Sequence, residues 1–487
     1  MTTAVVVGSG PNGLAAAVTL AAHGVRVTVL EASETPGGGT RSGELTLPGL
    51  LHDECSGLHP LALGNRFNDV VDMGEHGLDW AWPEVQYAHP LDGGGGAAAW
   101  QSVEETTRHL FDDGGVWRAV FGRLAPRFPD IAEDFLQPML HIPEHPVDLG
   151  LFGLFAGPPA DWVARLWATP EARALFGGVA AHAFRPLDTL ASSAIGMALG
   201  TAAHTYGWPV ALGGSMSIAR ARISALEALG GRVETGVRVR SRADLPPADL
   251  VLLDTSPGAA VDILGDLMPT RIARALKGYR NGPAAFVTHF AVEGGIPWTY
   301  EPARRAGTVH VGGTFEQVAR AEREVHRGRL PEDPFVLVAQ QSTAEPARSR
   351  DGLHPIDAYA HVPAGFDGDA SGLIEAQIER FAPGFRDRIV ARTVRSVAQL
   401  EADNANYVAG DIITGANSVQ QLLFRPRVAL DPYSLGAPGH YLCSAATPPG
   451  AGAHGMCGYN AALSALAHAG IPTGTTAGSA AETHTRG

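Results

Sequence analysis

Residues 5–20 read VVVGSGPNGLAAAVTL. Three glycines, Gly8, Gly10 and Gly13, interrupt an otherwise apolar run, and glycine is a costly residue inside a strand or helix. The pattern predicts a short buried strand over 4–7, a helix of small residues over 11–23 ended by Gly24, and a second strand, VRVTVLE, ending at Glu31. Strand, glycine turn, helix, strand and acid within about 30 residues is the setting in which G-x-G-x-x-G marks a dinucleotide site. Gly8 permits the tight turn, Gly10 lets main chain approach a pyrophosphate, and Gly13 lets the helix lie close on the strand. The helix N-terminus offers N–H groups and partial positive charge to phosphates. Glu31 stands where a carboxylate accepts ribose hydroxyls. A tight βαβ unit without a ligand is the plain alternative.

Just after Glu31, EASETPGGGTRSG places Gly37, Gly38, Gly39, Thr40 and Arg41. They are either a flexible turn or further donors for one long ligand. From residue 440 the chain reads HYLCSAATPPGAGAHGMCGYNAALSALAHAG: a strand, a glycine turn, and a helix from Met456 to about 469. A second helix N-terminus suits a group that gains negative charge, such as a reduced flavin.

Taken together, GSGPNGLAAA, LEASETPGGGTRSGELTLPGLLHDECSGLHP, GWPVALGGS and YLCSAATPPGAGAHGMCGYNAA resemble the phytoene-desaturase-related FAD-dependent oxidoreductases. These are flavoproteins akin to glutathione reductase and amine oxidase. The resemblance spans about residues 4–470 and is strongest for a bacterial branch ending in HGMCGYN. It implies FAD as cofactor. The matching contacts are Gly8, Gly10, Pro11, Asn12, Gly13, Glu31, Gly38, Thr40 and Arg41 near the start, and Gly450, Gly455 and Met456 near the end. It also implies main-chain pairing of Val237 with adenine. The implied fold class is α/β: a Rossmann-like FAD-binding domain of the glutathione-reductase type with a mixed α+β substrate domain. The FAD-binding domain is expected in three pieces, 1–75, 205–274 and 426–470. The substrate domain is expected over 76–204, mainly helical, and 275–425, with a disordered tail over 471–487. One departure is informative. His454, Gly455 and Met456 stand where carotenoid desaturases carry a proline- and glycine-rich motif without the histidine, which speaks against a carotenoid.

Composition narrows the partners. The net charge of −14 disfavours nucleic acid. Three cysteines without a CxxC pair predict a reducing compartment, and no leader is expected before so short an apolar run. A cytoplasmic location follows. A peripheral membrane contact stays open, because LGLFGLFAG at 149–157 reads as buried core, pocket wall or a surface that dips into a monolayer.

His204 and His454 are the acid–base candidates, since each adjoins a motif expected near the flavin and histidine titrates near neutral pH. Trp208 and Pro209 are expected to line the substrate pocket, and Ser215 to cap the helix that follows GG. HDECSGLH crowds His52, Asp53, Glu54, Cys55 and His59 together, but its spacing fits no zinc or iron pattern, so no metal is expected. Asp411 and Arg425 read as structural ion partners. The expected activity is a desaturase or dehydrogenase acting on CH–CH groups of a largely apolar small molecule. The alternatives are a flavin amine oxidase, a non-redox polyene isomerase using reduced FAD, and an FAD-loaded binding protein.

Overall fold

The computed structural model describes residues 1–473. Its first sheet has five parallel strands in the order His440–Leu442, Leu250–Leu253, Thr3–Val7, Arg26–Leu30, Arg232–Glu234. Parallel strands are covered on both faces, which is why the central runs 4–7 and Leu250–Leu253 are continuously apolar. Val6, Leu252 and Leu442 are wholly buried, each contributing roughly 1.5–3 kcal/mol. The strands come from three separate stretches of chain, so this Rossmann-like half closes only when the segment from 440 returns beside 250–253. Helix Pro11–Ala22 starts on proline, where the missing N–H has no intrahelical partner to lose. It lies against helix Met456–His468. A Cβ on Gly458 would come within 1.8 Å of the Asn12 carbonyl oxygen, so the two ends of the chain meet through small residues.

Between 229 and 257 the sequence suggests two strand-like runs before LVLLD, yet only Arg232–Glu234 and Leu250–Leu253 are strands. Gly236, at φ 71°, turns the chain out of the sheet, and residues 237–240 run on as loop.

The second sheet has seven strands in the order Ile389–Arg395, Ala284–Glu293, Leu353–Val362, Val336–Ala339, Ala306–Val311, Val85–Pro90, Gly96–Ala99. All neighbours are antiparallel except Ala306–Val311 with Val85–Pro90. Residues 76–204, mainly helical as expected, also give two strands to this sheet. The glycine run 93–96 folds Val85–Pro90 back on Gly96–Ala99 as a hairpin that joins this sheet. Side chains alternate across the strands. One face packs Phe286, Phe290, Ile356 and Phe381 into a core. The other turns Val287, Thr308, Leu337 and Tyr359 towards the first domain. No helix among the described residues is long and apolar enough to cross a membrane. Ile471 still bonds and packs on the core, and the tail expected to be disordered lies, from 474 on, outside the described residues.

Candidate functional site

A single continuous cavity of about 1320 Å³ runs from the glycine turn to the face of the seven-stranded sheet. That exceeds the ~300–1,000 Å³ of an ordinary small-molecule pocket. Gly8, Gly10, Pro11, Asn12, Glu31, Gly38, Thr40, Arg41 and Val237 all line it.

At the nucleotide end the Glu31 carboxylate is fixed by main chain. Oε2 accepts from Ser9 N and Oε1 from Ser33 N, both at 2.8 Å. Arg41 is clamped rather than free, donating to Ser33 Oγ at 3.1 Å and Asp403 O at 3.0 Å, beside Glu54. Asn12 Oδ1 is buried, with no hydrogen-bond partner among the described residues. Gly13 does not line the cavity. Its N–H donates to Asp254 Oδ2 at 3.0 Å, and a Cβ there would stand 2.2 Å from Gly8 O. Its role is close packing of helix on strand. Val237, where the adenine contact is expected, lines the cavity, and its N–H donates to Glu31 O at 2.8 Å. Val239, two residues on, lines the same cavity, and its N–H has no main-chain partner among the described residues. Asp254, which sequence reasoning passed over, also lines the cavity. Burial pushes its carboxyl up to about 7 against the pull of the Gly13 N–H, and the Glu31 charge adds to the push.

The closing turn reaches the cavity through Pro449, Ala451, Gly452, Ala453 and His454. Gly450, Gly455 and Met456 sit behind that wall. A Cβ on Gly450 would meet Arg425, and one on Gly455 would meet Ala15. Met456 starts the helix and donates its N–H to His454 Nδ1 at 3.0 Å. Burial first, and Arg222 second, bring His454 down to about 4. With Nδ1 accepting, the neutral ring carries its proton on Nε2, which makes His454 a hydrogen-bond donor at the wall rather than a base.

His204 is outside the cavity. Its helix, Ala194–Thr205, turns the ring away, so that Nε2 accepts from Trp117 Nε1 at 3.0 Å and Nδ1 bonds Gln101 O at 3.1 Å. Both nitrogens are used, and burial lowers its pKa to about 4. Trp208 lines the chamber, whereas Pro209 lies behind it with its carbonyl accepting from His59 N. A different histidine faces the chamber: His182, at the end of helix Pro170–Ala181, with its Nε2 2.8 Å from His310 Nε2.

HDECSGLH forms a polar junction between the two halves. Asp53 pairs with Arg348 at 2.6 Å, both side chains 1% exposed. Asp357 Oδ1 accepts from His52 Nδ1 at 2.7 Å and His289 Nδ1 at 2.8 Å. These three could ligate an ion, but their spacing is that of hydrogen bonds, with the ring protons on the shared oxygen. Ser215 makes no cap. Its Oγ donates to Ser56 O, and its N–H bonds Asp53. Asp411 and Arg425 do not pair directly. Asp411 accepts from the N–H groups of Gly282, Ile413 and Gly415, and Arg425 donates to Asn417 Oδ1 at 2.7 Å.

Residues 6–73 match a model of the NAD(P)-binding Rossmann-like domain. A stretch of 150 residues is 29% identical to mouse pyridine nucleotide-disulfide oxidoreductase domain-containing protein 2, covering 28% of this chain and 26% of that protein. Over 75 residues the chain is 43% identical to hydroxyneurosporene desaturase of Cereibacter sphaeroides, covering 15% of this chain and 14% of that one. The match thus spans about a quarter or less of these curated relatives. Among solved structures, putrescine oxidase bound to putrescine superposes with a TM-score of 0.60 at 17% identity, over 96% of this chain and 99% of that one. An oxidoreductase from Methanosarcina mazei gives 0.61 at 13% identity, over 96% and 100%. The fold is shared along the whole described chain.

Proposed function

We propose that this chain is an FAD-dependent oxidoreductase that removes two hydrogens, one as hydride and one as a proton, from a CH–CH bond of a largely apolar small molecule. The observation that carries this reading is the continuity of the cavity. One space joins the G-x-G-x-x-G turn, the closing turn 449–454 and a chamber walled by Phe152, Leu199, Ile195 and Trp208. The name of one similar protein, a desaturase, agrees with it, while that of another, putrescine oxidase, supports an oxidoreductase without favouring a CH–CH bond.

The residues present fit the cofactor. The first turn of Pro11–Ala22 would meet the pyrophosphate, Glu31 the ribose, the main chain at Val239 the adenine, and the wall 451–454 the ring end. When bound, FAD supplies a two-electron acceptor. The chain's own contribution is to hold the donor carbon close, aligned and away from water. Apolar side chains on the far wall exclude solvent, and His454, pinned by the Met456 N–H, fixes the closing turn at the opposite one.

The test is to mix purified protein with FAD, and separately with NAD⁺ and NADP⁺, remove free ligand, and record what is retained. Stoichiometric FAD with a visible flavin spectrum is expected. Retention of a nicotinamide dinucleotide in place of FAD overturns the reading.

A further inference from the structure

The chamber opposite the nucleotide end is largely apolar, and the polar atoms that line it without a partner among the described residues include one on His182 and one on Tyr359. His182 spends Nε2 on His310 and has Nδ1 left over. The Tyr359 hydroxyl makes no hydrogen bond among the described residues, and Tyr359 lines the same space. The two sides of the chamber are tied together by Phe184, which stacks on Tyr359 with ring centroids 6.1 Å apart and 17° between planes. Trp208 stands edge-on to His182 at 5.6 Å.

The hydrogen-bond state of His182 follows from its partner. Burial, with His361 nearby, brings His182 down to about 3, and burial also holds His310 well below the usual histidine range, so both rings are neutral. Two Nε2 atoms 2.8 Å apart share one proton. If His182 held it, His310 would carry its own proton on Nδ1, which is buried with no partner. A stranded N–H is rarer and costlier in proteins than a stranded lone pair. The proton therefore sits on His310 Nε2, and His182 carries an Nδ1–H aimed at the chamber. Tyr359 remains a phenol, since burial pushes its pKa far up.

Two neutral donors thus face one apolar space, and the carboxylates at that end are already spent. Asp357 accepts from His52, His289, Gln341 and the Asp53 N–H. Asp53 accepts from Arg348, Gln341, Ser42 and the Ser215 N–H. We propose that His182 and Tyr359 together bind a carbonyl oxygen at the head of an apolar substrate, and so fix which carbon lies next to the cofactor. An ammonium has no lone pair for the His182 N–H and finds no free carboxylate at this end, which leaves it the Tyr359 oxygen alone as an acceptor. The inference rests on the flavin reading for the reaction but not for the binding.

The test measures binding of three probes of one chain length, 2-decanone, 2-decanol and 2-aminodecane, to the FAD-loaded protein. Quenching of Trp208 and Trp162, which both line the cavity, gives the readout. The ketone is expected to bind tightest and the amine about tenfold or more weaker. His182→Phe and Tyr359→Phe are each expected to cost the ketone about tenfold and to leave FAD retention unchanged. Two variants on separate elements guard against one that fails to fold. Equal affinity for ketone and amine, or ketone affinity unmoved in both folded variants, overturns the assignment. If the wild type retains no FAD, the proposed function fails, and the same probe series on the unloaded protein still decides for or against His182 and Tyr359.

Discussion

The Asp254 carboxylate accepts a hydrogen bond from the Gly13 main-chain N–H at 3.0 Å, joining positions 241 residues apart beneath the glycine turn. Burial pushes this carboxyl up to about 7, above its value in an unfolded chain. The folded state then holds the proton more tightly, so this group's contribution to stability is complete at low pH and is lost as pH rises through about 7. A pyrophosphate on the same turn adds like charge, so dinucleotide binding follows the same direction. FAD should dissociate several-fold more readily at about pH 8 than at about pH 6 in the wild type. Asp254→Asn keeps an acceptor for Gly13 and cannot ionise, so its FAD affinity should be flat over that range. A fluorescence titration at the two pH values checks this, and an equal slope in both proteins counts against the role of Asp254.

Gly13 tests the packing of the turn itself. Any Cβ there meets Gly8 O at 2.2 Å, a main-chain atom that cannot swing aside. Gly13→Ala should lower stability by about 1–3 kcal/mol and lose FAD. A Cβ on Gly258, at the start of helix Pro257–Leu264, meets open space. Gly258→Ala should be neutral or stabilising by a few tenths to about 1 kcal/mol. Thermal melts and the flavin-to-protein absorbance ratio separate the two.

The Arg348–Asp53 pair joins the half built on the seven-stranded sheet to the half built on the parallel sheet. With both side chains 1% exposed, removing the guanidinium leaves a buried, uncompensated carboxylate. Arg348→Met should cost about 3–5 kcal/mol, most of it from the stranded Asp53. The double variant Arg348→Met with Asp53→Leu should recover part of that loss. Denaturant unfolding of the two variants measures it.

What the sequence made legible was local. The spacing of Gly8, Gly10 and Gly13 between two valine runs is a short-range signal, and the strands and helix it predicts lie where they were expected. The closing strand and helix were readable from their glycine turn, while the return of 440–442 to the same sheet was expected only from the family resemblance. What was not legible depends on the face an element turns. His204 and His182 both sit in apolar helical surroundings, and nothing nearby tells which ring meets a cavity and which meets Trp117. The partner that sets the His182 tautomer, His310, comes from a strand 128 residues away. Asp254 read as the plain end of LVLLD, because its partner is a main-chain N–H at the other end of the sheet's connectivity. That the Val237 N–H is spent on Glu31 O was hidden as well, because it follows from the turn that Gly236 makes.

The rim of the chamber explains how an apolar molecule would enter. Leu154, Trp162 and Leu190 line the cavity and are nevertheless 68%, 62% and 61% exposed. Large apolar side chains held in water at a cavity mouth shorten the wet path for an apolar ligand, because its desolvation begins at the rim. Charges placed there reverse that advantage and touch none of the polar groups inside. Leu154→Asp with Leu190→Asp should slow association of 2-decanone by about tenfold. Its dissociation rate should change much less. Since both residues are exposed, stability should stay within about 0.5 kcal/mol per substitution. Stopped-flow quenching of tryptophan emission resolves the two rates. An unchanged association rate with an altered dissociation rate would place these leucines inside the binding site and move the entrance elsewhere.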